Sequence, residues 1–383
     1  MTVKRIEIYE LNLRLHKPYK ISFETTYYAE NLLIVVSTED GVVGYGEAAP
    51  SRPITGDTRE EAFAFLSKAI PYLKNANPSD IPEIHKTLNK VSEDTKLTSQ
   101  SARTAIDSAC YDILGKLENK PVYEILGAPV PRIVPASIGL GIEAPDDLAT
   151  DTREYMQRFQ NNGAWLMKLK LDGNPEMDLK RVLAVSDIFP RGIKLDPNQA
   201  YNDPVTAVKV FNSLYDSLGS KIVSIEEPCP KNDLRKMKYV AEHCEIPILA
   251  DESASTVDDV QRVIANRAAD GVNIKLCKIG GIYFAIEAAQ LLKDENLQAH
   301  VGCMVESRIA LSAATSFAAA TENIMHVDMD SDIYFETEIT TPDSLSFIWG
   351  ARIPSGRPGL GVDLKAEFGS IINDDVSLRK LIS

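Results

Sequence analysis

Five short apolar runs in the middle of the chain each end in charge: MKLKL, GIKLDPN, VSIEEP, IPILADES and GVNIKL leave Lys168 and Lys170, then Asp196, Glu226, Asp251 and Lys275, at their C-terminal ends. Three carboxylates brought together offer hard oxygen ligands that suit Mg²⁺, and without a cation they repel one another. Ammonium groups crowded beside a cation lose affinity for their protons, and a lysine tuned to about 7 to 8 serves as a base at neutral pH. The reaction this set fits is removal of a proton next to a carboxylate. A metal ion and Lys168 on the carboxylate oxygens stabilise the dianionic enediolate, while Lys170 and Lys275 take and return the proton on opposite faces, which inverts the carbon. The same lysines also neutralise the carboxylates, and the two roles are compatible.

Such residues need elements that converge. Each run is rich in Ile, Leu, Val and Met, as in a parallel strand buried on both faces. The steps from 170 to 196, 226, 251 and 275 are 26, 30, 25 and 24 residues, one strand and one helix each time. Segments between them, such as MDLKRVLAVSDIF and PVTAVKVFNSLYDSL, carry apolar residues at helical spacing. The pattern predicts a (β/α)-barrel with the charges at its C-terminal mouth, where barrel enzymes keep their chemistry. IVPASIGLG supplies the first strand, LQAHVGC the seventh and MHVDMD the eighth. Lys168 and Lys170 then share one face of the second strand, and Lys275 on the sixth lies across the barrel from them.

Flanking segments make the rest. KRIEIYELNLRL, NLLIVVST and GVVGYGEAA read as strands of an antiparallel sheet, and Thr58 to Leu126 turns helical, so residues 1–127 form an α+β domain. Gly127-Ala128-Pro129 marks the boundary, 128–330 is the barrel, and 331–383, with strand-like IYFETEI and LSFIWGARIP, returns to the first domain. Two polar and aromatic loops, KPYKISFETTYYAE and PSRPITGDT, are candidate lids. A net charge of −14 and a pI near 5.0 exclude a basic footprint for nucleic acid. The charged start MTVKRIEIYELNLRL has no signal-peptide core, and no stretch reaches membrane-spanning length. Five cysteines without CxxC spacing point to a reducing compartment and no zinc site, so the expectation is a cytoplasmic protein. Of the histidines, His300 alone falls near a strand end as a candidate for the site.

The ordered series KLK, D-P-N, EEP, ADES and NIKLCKIGG resembles the muconate-lactonizing subgroup of the enolase superfamily, in which a lysine base works with Mg²⁺. TAIDSACYDILGKLENKPVYEILG is similar to that family's helix before the barrel and PGLGV to its C-terminal end, so the likeness spans nearly the whole chain. It implies a modified TIM barrel with an N-terminal α+β capping domain completed by the tail, in a homo-oligomer. It also implies one Mg²⁺ per subunit on Asp196, Glu226 and Asp251, an acid/base pair of Lys170 and Lys275, and Lys168 as their electrostatic partner. Asn198 and Lys278 match the pattern too.

HVDMDSD places Asp328 and Asp330 two residues apart on one face, and resembles the DxD motif with which dipeptide epimerases hold the substrate's ammonium group. The activity implied is epimerisation of the C-terminal residue of a dipeptide. KPYKISFETTYYAE and ITGDT are similar to the specificity loops of L-Ala-D/L-Glu epimerases, and Cys303 and Met304 are placed with the substrate-binding residues. Glu24 stands where those enzymes carry an arginine for the substrate's glutamate, and Lys17, Lys20 or Arg52 is the expected replacement cation. Hydrophobic or cationic dipeptides remain alternatives, as do cycloisomerase, o-succinylbenzoate synthase and N-acylamino acid racemase activities. Outside the family stand a Schiff-base aldolase, using a lysine of the sixth strand, and a barrel that binds without turnover.

Overall fold

The computed structural model describes residues 1–163, 165–365 and 376–382. Its first sheet is built from β1 (Val3–Lys20), β2 (Thr25–Thr38) and β3 (Val43–Ala48). Alternating burial along β1, with Leu11, Leu13 and Leu15 inside and the polar residues between them more exposed, reflects the period of a strand with one covered face. Strands β1 and β2 pair as far as Lys20 and Thr25, with two register shifts, the second between Arg14 and Tyr19. The loop expected over KPYKISFETTYYAE is therefore mostly a long hairpin, and only residues 21–24 turn at its tip.

Helices α1 (Arg59–Leu73) and α3 (Gln100–Glu118) pack on this sheet, and α2 (Ile81–Thr95) packs on both of them. Thr58 and Glu61 close a capping box at the start of α1, which satisfies two N–H groups the helix leaves open. Helix α3 is buried almost all round because it lies between the sheet and the barrel. It lies so close to β3 that a Cβ at Gly46 would run into the carbonyl oxygen of Ala105. Gly46→Ala should therefore cost about 1–3 kcal/mol in a denaturant titration, by overpacking a contact that has no room to yield.

After a one-turn helix, α4 (Val122–Ile125), the barrel begins. Its strands and helices alternate as β4 (Ser137–Leu140), α5 (Pro145–Arg158), β5 (Leu166–Lys170), α6 (Pro175–Ser186), β6 (Ile193–Asp196), α7 (Pro204–Leu218), β7 (Ile222–Glu226) and α8 (Leu234–His243). They continue with β8 (Ile248–Ala250), α9 (Val257–Asn266), β9 (Gly271–Ile274), the single turn α10 (Leu276–Ile279), α11 (Ile282–Asp294), β10 (Gln298–Gly302), α12 (Arg308–Ala320) and β11 (Ile324–Asp328). All eight strands are parallel and pair in chain order, and a bridge between Ala136 and Val327 joins the two ends. Trp165, Phe189, Phe211 and Phe317 are fully buried in the apolar core.

Among the described residues no long helix follows β11. The chain instead makes a short turn at Ser331–Tyr334 and the hairpin β12 (Leu345–Ile348) with β13 (Ala351–Pro354). IYFETEI, expected as a strand, forms this turn and a single bridge from Phe335 to Leu15. The return to the first sheet is made by β14 (Val376–Ile382), which pairs antiparallel with β1. Cap and barrel are tied through α3. Asp107 accepts from the Ile282 N–H at 2.6 Å at the start of α11, and Thr104 donates to the Leu276 carbonyl at 2.6 Å. Among the described residues no helix is long and apolar enough to cross a membrane.

Candidate active site

Strand alternation sets the site. On β5 Lys168 and Lys170 share a face, and pairing in register with β6 sets Lys168 beside Lys194 and Lys170 beside Asp196. Glu226 ends β7, Asp251 follows β8, and Lys275 follows β9. Carboxylate oxygens of Asp196, Glu226 and Asp251 lie within 4.8 Å of one another, all three side chains buried. Lys168 donates to both oxygens of Glu226 at 2.9 Å and stands 3.1 Å from Asp196. Lys170 donates to Asp196 at 2.6 Å and Lys275 to Asp251 at 2.7 Å, while Lys278 holds the other Asp251 oxygen.

The electrostatics are those of too many carboxylates in too little water. Burial raises Glu226 to about 7, against the pull of Lys168. Glu252 is pushed up to about 8 by burial and by Asp251 and Glu227 beside it. At Asp196 burial works upward, but Lys170 and Lys168 outweigh it and bring the carboxyl to about 2. At Asp251 burial is outweighed by Lys275 and then Lys278, which hold it below the usual carboxylate range. Lysines tuned downward by crowding are not what this arrangement gives. Burial lowers Lys275, yet Asp251 and Glu226 outweigh it and push the ammonium up, and Lys168 is raised by Asp328, Glu226 and Asp196 in the same way.

A divalent cation fits this set. Its oxygens are hard and close, and Glu252 Oε2 and Asn198 Oδ1 are buried beside them without a hydrogen-bond partner. Asn198 Nδ2 reaches the other Glu252 oxygen at 3.1 Å, so the two orphans belong to one group.

Above the carboxylates a cavity opens under the cap. Lys168, Lys170, Lys275, Asn198, Asp328 and Asp330 line its floor. Tyr19, Ile21, Glu24, Tyr28 and Glu30 of the hairpin, with Ile54, line the cap side, and Cys303 and Met304 close another side. Cys303 Sγ lies 3.9 Å from Asp330 Oδ1, and burial pushes its thiol up.

The structure separates other candidates from this cavity. Arg52 does not line it; the guanidinium is exposed and pairs with Glu61 at 2.5 Å and with the Gly56 carbonyl at 3.0 Å, because it emerges beside the capped end of α1. Lys17 is held by Glu143 and Asp151, each at 2.6 Å, and Lys20 does not line the cavity either. His300 is fully buried against His326, with ring centroids 5.1 Å apart, and does not reach the cavity.

Reading the sequence missed Lys194, Tyr334 and Glu306. Lys194 is buried and donates to Asp328 at 2.5 Å; its position two residues before Asp196 already placed it on the inward face. Tyr334 donates to Asp330 and receives the Gly139 N–H at 2.9 Å, a role that no periodicity announces. Glu306 is buried, and burial with Glu47 nearby raises its carboxyl to about 8.

Two family descriptions match the chain. Residues 4–127 match the mandelate racemase/muconate lactonizing enzyme N-terminal domain, and residues 151–368 match the enolase C-terminal domain-like family. The chain belongs to the mandelate racemase/muconate lactonizing enzyme family of the enolase superfamily. Within that family it is similar to a crystal structure of a dipeptide epimerase from Enterococcus faecalis V583 complexed with Mg and the dipeptide L-Leu-L-Tyr. Identity is 31%, TM-score 0.87, covering 95% of this chain and 100% of that one. A substrate-liganded L-Ala-D/L-Glu epimerase from Bacillus subtilis is 28% identical with TM-score 0.87, over 94% of this chain and 99% of that one. The N-succinyl-L-Arg/Lys racemase of Bacillus cereus is 29% identical over 371 residues, 96% of each chain.

Proposed function

We propose that this protein epimerises the C-terminal residue of a dipeptide by Mg²⁺-dependent, two-base proton transfer. The observation that carries the reading is one cavity lined by Lys170 and Lys275 from opposite strands of the barrel and by Asp328 and Asp330, with the buried carboxylate trio hydrogen-bonded to its lysines. Asp196, Glu226 and Asp251 would hold one Mg²⁺, which when bound supplies Lewis-acid stabilisation of charge growing on the substrate carboxylate. Lys168 adds its ammonium to the same oxygens. A cation on Asp251 and Glu226 would offset the carboxylate charge that holds Lys275 protonated; the lysine that is neutral removes the proton from one face of the α-carbon, and the charged lysine on the other face delivers one. An N-acyl substrate would leave Asp330 without a cation to meet, which favours a free-amine dipeptide over the succinylated amino acids of the Bacillus cereus relative. We divide the chain into the cap 1–127, the barrel 128–330 and the returning segment 331–383, and place it in the cytoplasm as a homo-oligomer.

The likeness of the loops supports an L-Ala-D/L-Glu substrate. A second reading, a hydrophobic or cationic side chain, is favoured by the cavity wall: Glu24 and Glu30 line it, among the described residues the ion-pair partner of Glu30 is Arg59 at 3.9 Å, and neither Arg52, Lys17 nor Lys20 lines the cavity. Burial raises the Glu24 carboxyl and Glu30 raises it further, as expected where anions stand together without a cation.

Proton NMR in D₂O with Mg²⁺ and a dipeptide panel tests both. Loss of the C-terminal residue's α-proton signal with growth of the diastereomer is expected, and no exchange with any dipeptide overturns the reading. Glu24→Arg should raise kcat/KM for Ala-Glu relative to Ala-Lys by about tenfold or more, since a charge meeting its opposite at a half-buried site gains about 1–3 kcal/mol.

A further inference from the structure

Arg103 on α3 is a buried charge that, among the described residues, has no counter-ion. The residue is 7% exposed, with its guanidinium carbon 5.4 Å from the centre of the Phe65 ring. Nη1 donates to Asn89 Oδ1 at 2.9 Å, and Nη2 donates to the Leu88 carbonyl at 3.0 Å and to Ser92 Oγ at 2.9 Å. All three acceptors are neutral. They take three of the five N–H groups that a guanidinium offers, which leaves two for a ligand. Burial lowers the Arg103 pKa to about 10, and no carboxylate opposes that shift. A charge buried this far is ordinarily paired with an opposite one.

The guanidinium lines a cavity distinct from the active site, with Asn89, Ser92, Ser99, Gln100 and Phe284 around it. Ser99 and Gln100 are the cap and first residue of α3, so the helix dipole there also favours negative charge. Asp57 lines the cavity too, but its charge is already met. The Thr55 hydroxyl donates to one oxygen at 2.5 Å, and the hydroxyls of Ser99 and Ser101 donate to the other, Ser101 at 2.7 Å. The unanswered charge in this cavity is therefore positive.

The same cavity touches the loop PSRPITGDT from behind. Thr55, Gly56 and Asp57 line it, while Ser51 and Ile54 line the active-site cavity. One carbonyl joins the two sides: that of Ser51 accepts the N–H groups of Ile54, Thr55 and Gly56 at 3.0, 2.8 and 3.2 Å. A group fixed against Gly56 thus bears on Ile54 through a single tight turn.

We propose that the Arg103 cavity binds a small oxyanion, a carboxylate or a phosphate-type ion, and that its occupancy braces the 51–57 loop over the active site. A guanidinium fork matches either ion. The site itself is independent of the substrate, whereas its effect on the loop is read on the dipeptide reaction proposed above and rests on that reading.

Thermal unfolding of the Mg²⁺-loaded enzyme in sodium sulfate, sodium acetate and sodium chloride at matched ionic strength tests the site, in wild type, Arg103→Met and Ser92→Asp. Wild type should gain a few degrees in Tm that level off with sulfate, acetate or both, as for a bound ligand, and gain nothing saturable from chloride. Saturation by sulfate alone assigns a phosphate-type ion, and by acetate alone a carboxylate. Arg103→Met keeps an apolar stem beside Phe65 and should lose the saturable rise. Ser92→Asp puts a carboxylate where Nη2 now donates, so it should unfold at a higher temperature than wild type without any oxyanion and gain nothing from adding one. It also keeps the test decisive if Arg103→Met does not fold. With a dipeptide that the wild type epimerises, the saturating oxyanion should change KM by about fivefold or more, the lower end of ordinary coupling between sites, and the change should vanish in both variants.

No saturable rise in wild type, or an equal one in Arg103→Met or Ser92→Asp, overturns the site. A saturable rise that leaves KM unchanged overturns the link to the loop. Failure to turn over any dipeptide would instead remove the dipeptide reading, and the Tm comparison would still decide the site.

Discussion

Replacing either Lys170 or Lys275 with alanine should lower epimerisation by about a thousandfold or more, the usual worth of a positioned acid or base, while leaving half of the exchange chemistry intact. With two bases on opposite faces, each single variant still removes the α-proton that faces its remaining lysine. Lys170→Ala should therefore wash deuterium into one diastereomer only, Lys275→Ala into the other, and neither should invert the centre. Both proteins should fold, because the ion pairs are redundant. Asp251 keeps Lys278 when Lys275 is gone, and Asp196 keeps Lys168 at 3.1 Å when Lys170 is gone. NMR of each diastereomer in D₂O, run separately, reads the result. Exchange of both diastereomers by either variant, or of neither by both, would show that the lysines do not act as a facing pair.

Asp196, Glu226 and Asp251 were legible because a charge that ends an apolar run conflicts with burial unless a function keeps it, and because the strand-plus-helix steps put all three at one mouth. Lys170 and Lys275 followed from the same period. Lys194 obeys that period as well, but it sits inside its run, and nothing local tells a buried partner of a distant aspartate from an error in the pattern; Asp328 is 134 residues away.

The cap was less legible for a different reason. Loops carry no period, so Arg52 could be placed only by likeness, and its true partner Glu61 is fixed by the capping box of α1 rather than by the cavity. The hairpin carrying Glu24 has the polar and aromatic sequence of a loop, yet its strands pair again near the tip, Tyr19 with Thr26 and Lys20 with Thr25. A strand with no covered face has no alternation to show. IYFETEI reads as strand-like because it is rich in strand formers, yet it makes a turn and one bridge, and β14 at Val376–Ile382 makes the pairing with β1; tertiary context overrides the propensity.

Asp251→Asn should be the most damaging substitution among the metal-type carboxylates, and comparison with Glu226→Gln shows why. Asp251 receives Lys275 at 2.7 Å on one oxygen and Lys278 on the other, and among the described residues the other partners of the fully buried Lys278 are backbone carbonyls. Removing the charge leaves two buried ammonium groups facing a neutral amide, a loss of about 3–5 kcal/mol. Glu226 is different: burial has already raised it to about 7, and its partner Lys168 retains Asp196 and Asp328. Its replacement by an isosteric amide should cost only about 1 kcal/mol, the scale of one hydrogen bond. Urea unfolding without metal measures that difference. Unfolding with saturating Mg²⁺ measures the second effect, since a ligand at about a hundred times its Kd stabilises the wild type by about 2.7 kcal/mol. Both variants should lose most of that increment, because each replaces one of the three anionic ligands with a neutral amide. Equal stabilities without metal would mean that Lys278 does not depend on Asp251. A full Mg²⁺ increment in either variant would mean that the cation is held elsewhere.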